Sequence, residues 1–309
     1  MDIAILGATG HIAKGLVDGF CKATGNRLHL FTRSPGILDD FLSSIHCGAD
    51  ISMDDYDAFH WHECNVIINC VGIGDPGKLK ESAATIFSIT ETFDNLVLEY
   101  LDAHPDALYI NFSSGAAYGT DFSSPADEYA RAAFQINNLE KNEYYGMAKA
   151  CSEAKHRAAA NLNIVDLRVF GYFSRFIDLK TSYLMTEAVN CIKDKKEFVT
   201  GPDDIMRDYV HPADLFALIG HCIKKHALNE VYDVYSLKPV GKFEMLDRFA
   251  REFGLKYTVT GGRNAVNATG IKSNYYSLNR RADGLGYKPQ YTSLDGLVEE
   301  TRAILKDKN

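Results

Sequence analysis

Ile3-Ala4-Ile5-Leu6-Gly7-Ala8-Thr9-Gly10-His11-Ile12-Ala13 decides the fold. Four apolar residues end in glycine, and beyond the turn Ile12, Leu16, Val17 and Phe20 recur on one helical face. Strand, glycine turn and helix begin a βαβ unit. Glycine at positions 7 and 10 lets the backbone approach a pyrophosphate, while the helix start offers free N–H groups and a positive dipole end. Where helix must close on strand the small residue is Ala13 rather than a third glycine. Between a strand and a helix, this turn points to nucleotide binding by Gly7, Thr9, Gly10, His11 and Ile12.

Working outward, the second strand is Leu28-His29-Leu30-Phe31, ending in Thr32-Arg33-Ser34. A carboxylate at this strand end holds the ribose 2′-hydroxyl of NAD, whereas an arginine accommodates the 2′-phosphate of NADP. No acid stands there, so Thr32 and Arg33 favour NADP, with NAD as the alternative. Asp50 and Ile51, after the next short segment, are expected to border the adenine. Val66-Ile67-Ile68-Asn69-Cys70-Val71-Gly72 is apolar enough to be a parallel strand buried on both faces, delivering Cys70, Val71 and Gly72 to the cofactor. A long amphipathic helix is expected over residues 81–102, its Ile86, Phe93, Leu96, Val97 and Tyr100 lying in the core or at a subunit interface. The strand Leu108-Tyr109-Ile110-Asn111-Phe112 then ends in Ser113-Ser114 at the same sheet edge.

Tyr145-Gly146-Met147-Ala148-Lys149 carries the chemistry. A tyrosine and a lysine four residues apart share one helix face, which holds an ammonium near a phenol. A free phenol ionises near pH 10, too high for efficient proton transfer at neutral pH, and nearby positive charge favours the phenolate. Lys149 is therefore expected to lower the pKa of Tyr145, and Ser114 to set a hydroxyl beside the phenol.

Composition bounds the rest. The 309 residues, 46% apolar and 24% charged, suit one large or two ordinary soluble domains. A net charge of −8 argues against nonspecific binding to nucleic acid or anionic membranes. Seven scattered cysteines without a Cys-x-x-Cys pair read as reduced core thiols of a cytoplasmic protein, with no metal site. The first residues are too short and too acidic for a signal peptide, and no stretch approaches the roughly 20 apolar residues of a membrane span.

Taken together, these segments resemble the extended short-chain dehydrogenases/reductases, in their branch of NAD(P)-dependent nucleotide-sugar epimerases, dehydratases and reductases. The matching pieces are Gly7-x-x-Gly10-x-x-Ala13, Ser113-Ser114-x-x-Ala117-Tyr118-Gly119, Tyr145-x-x-x-Lys149, Leu167-Arg168-Val169-Phe170 and Arg207-Asp208-Tyr209-Val210-His211-Pro212. Leu285-Gly286-Tyr287-Lys288-Pro289 is a weaker match near the end. The resemblance implies a doubly wound parallel α/β sheet of Rossmann type, with a smaller, mostly C-terminal α/β substrate lobe. It sets the cofactor domain at residues 1–170 plus 208–235 and the substrate lobe at 171–207 plus 236–309. It makes Ser114, Tyr145 and Lys149 catalytic, with Lys149 on the nicotinamide ribose. Phe170 and Tyr172 would lie beside the nicotinamide, and Tyr118 and Arg207 would bind substrate, Arg207 at its pyrophosphate. Asp208 and His211 would be structural, and a homodimer is implied.

Three departures narrow the reading. Gly171 stands where the family often has asparagine, and Ile89 where its long helix carries another. Gly115-Ala116 replaces the acid pair that follows the catalytic hydroxyl in the dehydratases, which argues against elimination of water. In the smaller lobe Lys272 and Arg280 read as solvated surface cations, with contact to a phosphate as the alternative, Tyr275-Tyr276 as base-stacking or core aromatics, and 264–269 as a mobile loop at the cleft. The expected activity is an NADP(H)-dependent reductase of a nucleoside-diphosphate-linked keto-sugar. The alternative is a nucleotide-sugar epimerase with tightly held NAD, and a third reading is an NADP sensor without chemistry.

Overall fold

The computed structural model describes residues 1–73, 77, 83–261 and 272–306. The strands are β1 (Asp2–Leu6), β2 (Arg27–Phe31), β3 (Asp50–Asp54), β4 (Val66–Asn69), β5 (Leu108–Ser114), β6 (Asn163–Val169), β7 (Glu197–Thr200), β8 (Met206–Arg207), β9 (Asn229–Val234), β10 (Val240–Gly241), β11 (Lys256–Val259) and β12 (Asn274–Tyr275). The helices are α1 (His11–Lys22), α2 (Pro35–Ser44), α3 (Ile86–Ala103), α4 (Tyr144–Ala158), α5 (Leu184–Asp194), α6 (Pro212–Lys225), α7 (Lys242–Phe253) and α8 (Ser293–Lys306).

Seven strands form one sheet in the order β3-β2-β1-β4-β5-β6-β9. Every pairing in it is parallel. The order reverses direction at β1, and loops gather there at the carboxyl ends, where open α/β sheets bind ligands. Strand residues such as Ile3, Ile5, Leu28, Leu30, Ile68 and Ile110 face one core, closed by Leu16, Val17 and Phe20 of α1 and Leu215 and Leu218 of α6. Ala4, Leu6, Ile67 and Tyr109 face the other, under Val97, Tyr100 and Leu101 of α3. Both faces are thus covered, as an all-parallel sheet requires. A third core of Phe173, Met185, Val189, Leu246, Phe249, Leu297 and Ile304 joins α5, α7 and α8 beside the two small sheets β10-β8-β12 and β11-β7.

Several expectations change. The helix anticipated over 81–102 begins at Ile86, after a 3-10 turn at Ala83–Thr85, and residues 81 and 82 lie outside the described residues. The loop expected at 264–269 also lies outside them. Cys21 and Cys47 are joined in a disulfide, so the reading of all seven cysteines as reduced core thiols fails. Cys151 is exposed as well, and the cysteine-based argument for a reducing compartment falls with these observations. Among the described residues no helix is long and apolar enough to cross a membrane.

Candidate active site

Gly7 holds φ +75°, a left-handed conformation that side chains disfavour. A Cβ there would stand 3.1 Å from the backbone of Cys70 and Val71, and one at Gly10 would stand 3.1 Å from Gly7 O. Among the described residues no side chain caps the start of α1. Backbone close enough to exclude a methyl group, before an uncapped helix start, suits a pyrophosphate. The groove therefore fits a dinucleotide. Thr9 Oγ1 lies 3.5 Å from Thr32 Oγ1, tying the turn to the end of β2. His11 is turned inward: its Nε2 is 2.9 Å from Ser174 Oγ and its ring meets the edge of Tyr172. Burial lowers its pKa to about 4, so it brings no positive charge to a phosphate. Tyr172 fills the space a Cβ at Gly15 would need, at the start of α1. Ile12 packs against the main core.

At the end of β2, Thr32 is buried and Arg33 is exposed. Asp50 and Ile51 are not where the adenine was expected. Strand β3 begins at Asp50, which accepts a 2.8 Å hydrogen bond from Arg27 at the opposite, amino end of the sheet. The residues at the carboxyl end are Asp54, which pairs with His62, and Asp55.

Strand β5 ends on Ser114, and a 3-10 turn, Gly115–Tyr118, follows. The first turn of α4 docks directly on that turn: a Cβ at Gly146 would run into Ala116 O. This close approach brings Tyr145 near Ser114, whose hydroxyl favours the ionised phenol. Lys149 is buried, with Nζ donating to Phe112 O at 2.7 Å and lying 5.9 Å from the Tyr145 ring centre. The same ammonium is 3.9 Å from where a Cβ at Gly72 would stand, so it reaches the ends of β4 and β5 together.

The electrostatics reverse one expectation. Burial pushes the Tyr145 phenol above its ordinary range, with Ser114 pulling the other way. Lys149 is itself lowered by burial, against the pull of Asp94, Asp166 and Glu153.

Phe170 covers this centre from β6: its ring occupies the space of any side chain at Gly115. Tyr118, expected at the substrate, donates its hydroxyl to Asp233 at 2.9 Å and lays its ring 4.3 Å from the Arg168 guanidinium. It is held as a brace, and the hydroxyl is not free for a sugar. Gly171 has a physical reason, since the backbone carbonyl of Asp208 closes on it. Asp208 accepts from Ser236 and Ser293, and His211 caps α6.

Two residues sequence reasoning undervalued enter from the small sheet. Tyr275 brings its hydroxyl to 3.2 Å from Ser114 Oγ. Lys272, read as a surface cation, is buried, with Nζ 4.2 Å from the Tyr275 ring centre, and burial together with Arg207 lowers its pKa to about 8. Arg207 donates to Met206 O and Lys272 O and lies 5.9 Å from the same ring. Only the aromatic pair itself marked Tyr275, whose partner stands 161 residues away.

The overall architecture is shared with solved enzymes. UDP-glucose 4-epimerase from Thermotoga maritima, solved with UDP-glucose, matches with TM-score 0.81 and 16% identity over 100% of both chains. UDP-glucuronic acid 4-epimerase from Bacillus cereus, in complex with UDP-glucuronic acid and NAD, matches with 0.78 and 15% over 99% of each. dTDP-glucose 4,6-dehydratase from Bacillus anthracis, in complex with NAD, matches with 0.77 and 15% over 100% of this chain and 97% of that one. At these identities the likeness is one of fold. No curated protein matches the sequence. The model of the NAD dependent epimerase/dehydratase family matches residues 3–237, which span the glycine turn, Ser114, Tyr145, Lys149 and Arg207. The chain belongs to that family, the extended short-chain dehydrogenase/reductase type of nicotinamide-dependent enzyme.

Proposed function

We propose that the protein moves hydride between a nicotinamide dinucleotide and a sugar carbon of a nucleoside-diphosphate sugar, with Tyr145 as acid/base. The observation that carries this is the docking of α4 on the turn after β5, which gathers Ser114, Tyr145 and Lys149 at the end of the sheet. The glycine turn, Thr32, Arg33, Cys70 to Gly72 and Lys149 would hold the dinucleotide, which when bound would supply or accept the hydride. Ser114 donates a hydrogen bond to the reacting oxygen. Tyr145 gives its proton to that oxygen on reduction and takes it on oxidation. Arg207 and Lys272 stand by for the anionic part of the substrate.

Between outcomes, the leading reading is an epimerase that retains NAD, oxidising and then reducing one carbon. Its support is the family match and the similar folds solved with NAD. The second reading is an NADP(H)-dependent keto-sugar reductase, favoured by the exposed Arg33 at a β2 end without a carboxylate. A dehydratase has no support in the site, because Phe170 closes the position after Ser114 where its acid would stand. Pairing of two copies through α3 and α4, across the groove of Phe87, Thr90, Ala148 and Cys151, belongs to the same proposal.

The test is mass spectrometry of the nucleotide released on denaturation, followed by incubation with a panel of UDP- and dTDP-linked sugars and keto-sugars. Stoichiometric NAD, with isomerised sugar and no net change in nicotinamide absorbance, supports the epimerase. A protein that purifies empty and oxidises NADPH only with a keto-sugar supports the reductase. If neither outcome is seen with any sugar of the panel, hydride transfer to nucleotide-sugars is overturned.

A further inference from the structure

A serine hydroxyl has one proton to give and two lone pairs to fill. At Ser114 the backbone N–H of Ala116 fills one lone pair at 3.1 Å. Three claimants remain for the other lone pair and the proton. Tyr275 Oη stands 3.2 Å away, the Tyr145 phenol lies near enough for the serine hydroxyl to favour its ionised form, and a substrate oxygen must receive the serine's proton under the function proposed above. These demands are met together only if one phenol donates to Ser114 and the other does not. Tyr145 has to keep its proton for the reacting oxygen, so the donor is the other phenol.

We infer that Tyr275 is a positioning residue: it donates to Ser114 Oγ and so commits both the serine's proton and that of Tyr145 to the substrate oxygen. Its place is fixed by the small sheet, where β12 runs parallel to β8 and Tyr275 pairs with Arg207. Phe122 meets its ring edge-on at 4.7 Å and Phe170 lies 5.2 Å away, so the ring has little freedom to swing. Lys272 Nζ lies near the ring, 4.2 Å from its centre, and a cation there draws electron density from the phenol and strengthens its O–H as a donor. Burial raises the pKa of Tyr275 as well, which keeps its proton in place through the working range. The arrangement joins the smaller lobe to the catalytic strand through one hydroxyl pair.

Tyr275→Phe removes that hydroxyl and leaves the ring. The Tyr145 phenol is followed by 13C NMR of labelled tyrosine, its signal assigned by its loss in Tyr145→Phe. With Tyr275→Phe the vacated lone pair of Ser114 accepts from Tyr145, which stabilises the neutral phenol. Its titration midpoint is expected to rise by about half a pH unit or more. In a Ser114→Ala background the same substitution is expected to leave the midpoint still. A midpoint unmoved by Tyr275→Phe, or moved equally with and without Ser114, overturns the inference without any substrate in hand. On whichever panel sugar turns over, Tyr275→Phe should lower kcat roughly 10- to 100-fold with little change in KM, and should add nothing to Ser114→Ala. An effect on KM alone, or one additive with Ser114→Ala, would make Tyr275 a pocket wall instead. The inference rests on the hydride-transfer reading, and Tyr145→Phe separates their failures. If that variant still turns over, the reading falls. If it is inactive while Tyr275→Phe is normal, only the positioning role falls.

Discussion

A phenol raised above its ordinary pKa, as Tyr145 is, stays protonated across the neutral range, so it can donate to a developing alkoxide. Running the step backwards needs the phenolate, and the protein alone does little to favour it: Lys149 lies 5.9 Å from the ring centre and spends a hydrogen bond on Phe112 O. Positive charge arriving with an oxidised cofactor would have to make up the difference. Tyr145→Phe is therefore expected to bind the dinucleotide as before and to lose about 10²- to 10⁴-fold in turnover, the usual worth of general acid–base catalysis. Dinucleotide titration and single-turnover nicotinamide absorbance check the two halves. Loss of cofactor binding would instead mark the ring as part of the groove wall. Tyr145 and Lys149 were legible because helical spacing is local, and Ser114 because it ends a strand. Tyr275 was not, since nothing near it in sequence announces a partner 161 residues away.

Helix α4 depends on a buried charge cluster as much as on its apolar face. His156 is fully buried, with Nδ1 2.9 Å from Asp166 of β6 and Nε2 2.6 Å from Asp94 of α3. Lys155 also reaches Asp94, and Asn111 of β5 donates to Asp166. One turn earlier, Glu153 accepts from Ser113 and Arg168 and so steadies the strand end next to Ser114. Burial opposes the charge on His156, but the carboxylates win and raise its pKa to about 9 from 6.5. A raised pKa gives stability that is fully present below pH 6.5 and lost as pH climbs through about 9. Its size is roughly 3 kcal/mol from that shift. The melting midpoint of the native protein should thus fall between pH 6.5 and 9 more steeply than that of His156→Gln, the gap between the two being widest below pH 6.5 and closing as pH rises through about 9. Parallel curves in differential scanning calorimetry would dismiss the cluster as a stabiliser. None of this network was legible, because its members are spread over α3, α4, β5 and β6 and no local period links them. The failed placement of Asp50 and Ile51 has a different cause. Strand β3 is an exposed sheet edge with mixed polar and apolar residues, so its pattern does not show where the strand starts.

For the molecule as a whole, the parallel sheet was readable because its central strands are buried on both faces and advertise themselves as apolar runs. The rarer long-range ties were not, and the disulfide is the clearest case. Cys21 closes the far end of α1 onto Cys47, a separation of 26 residues that encloses β2 and α2. Odd numbers of scattered cysteines give no hint of which two will meet, and the fold alone decides it. In the chain-entropy view, a loop of that length is worth roughly 3 kcal/mol to the folded state. The bond lies ten residues along α1 from His11, about 15 Å at 1.5 Å per residue, so it should leave the glycine turn undisturbed. A Cys21→Ser, Cys47→Ser double variant is accordingly expected to keep its dinucleotide affinity and melt several degrees lower, at about 2–4 °C per kcal/mol. Reductant should bring the native protein down to the variant's midpoint and leave the variant where it is. If reductant shifts neither protein, the bond carries no stability. If the variant also loses affinity for the dinucleotide, then strain at Cys21 travels the length of α1 to the phosphate turn, and the far edge of the sheet is coupled to the site after all.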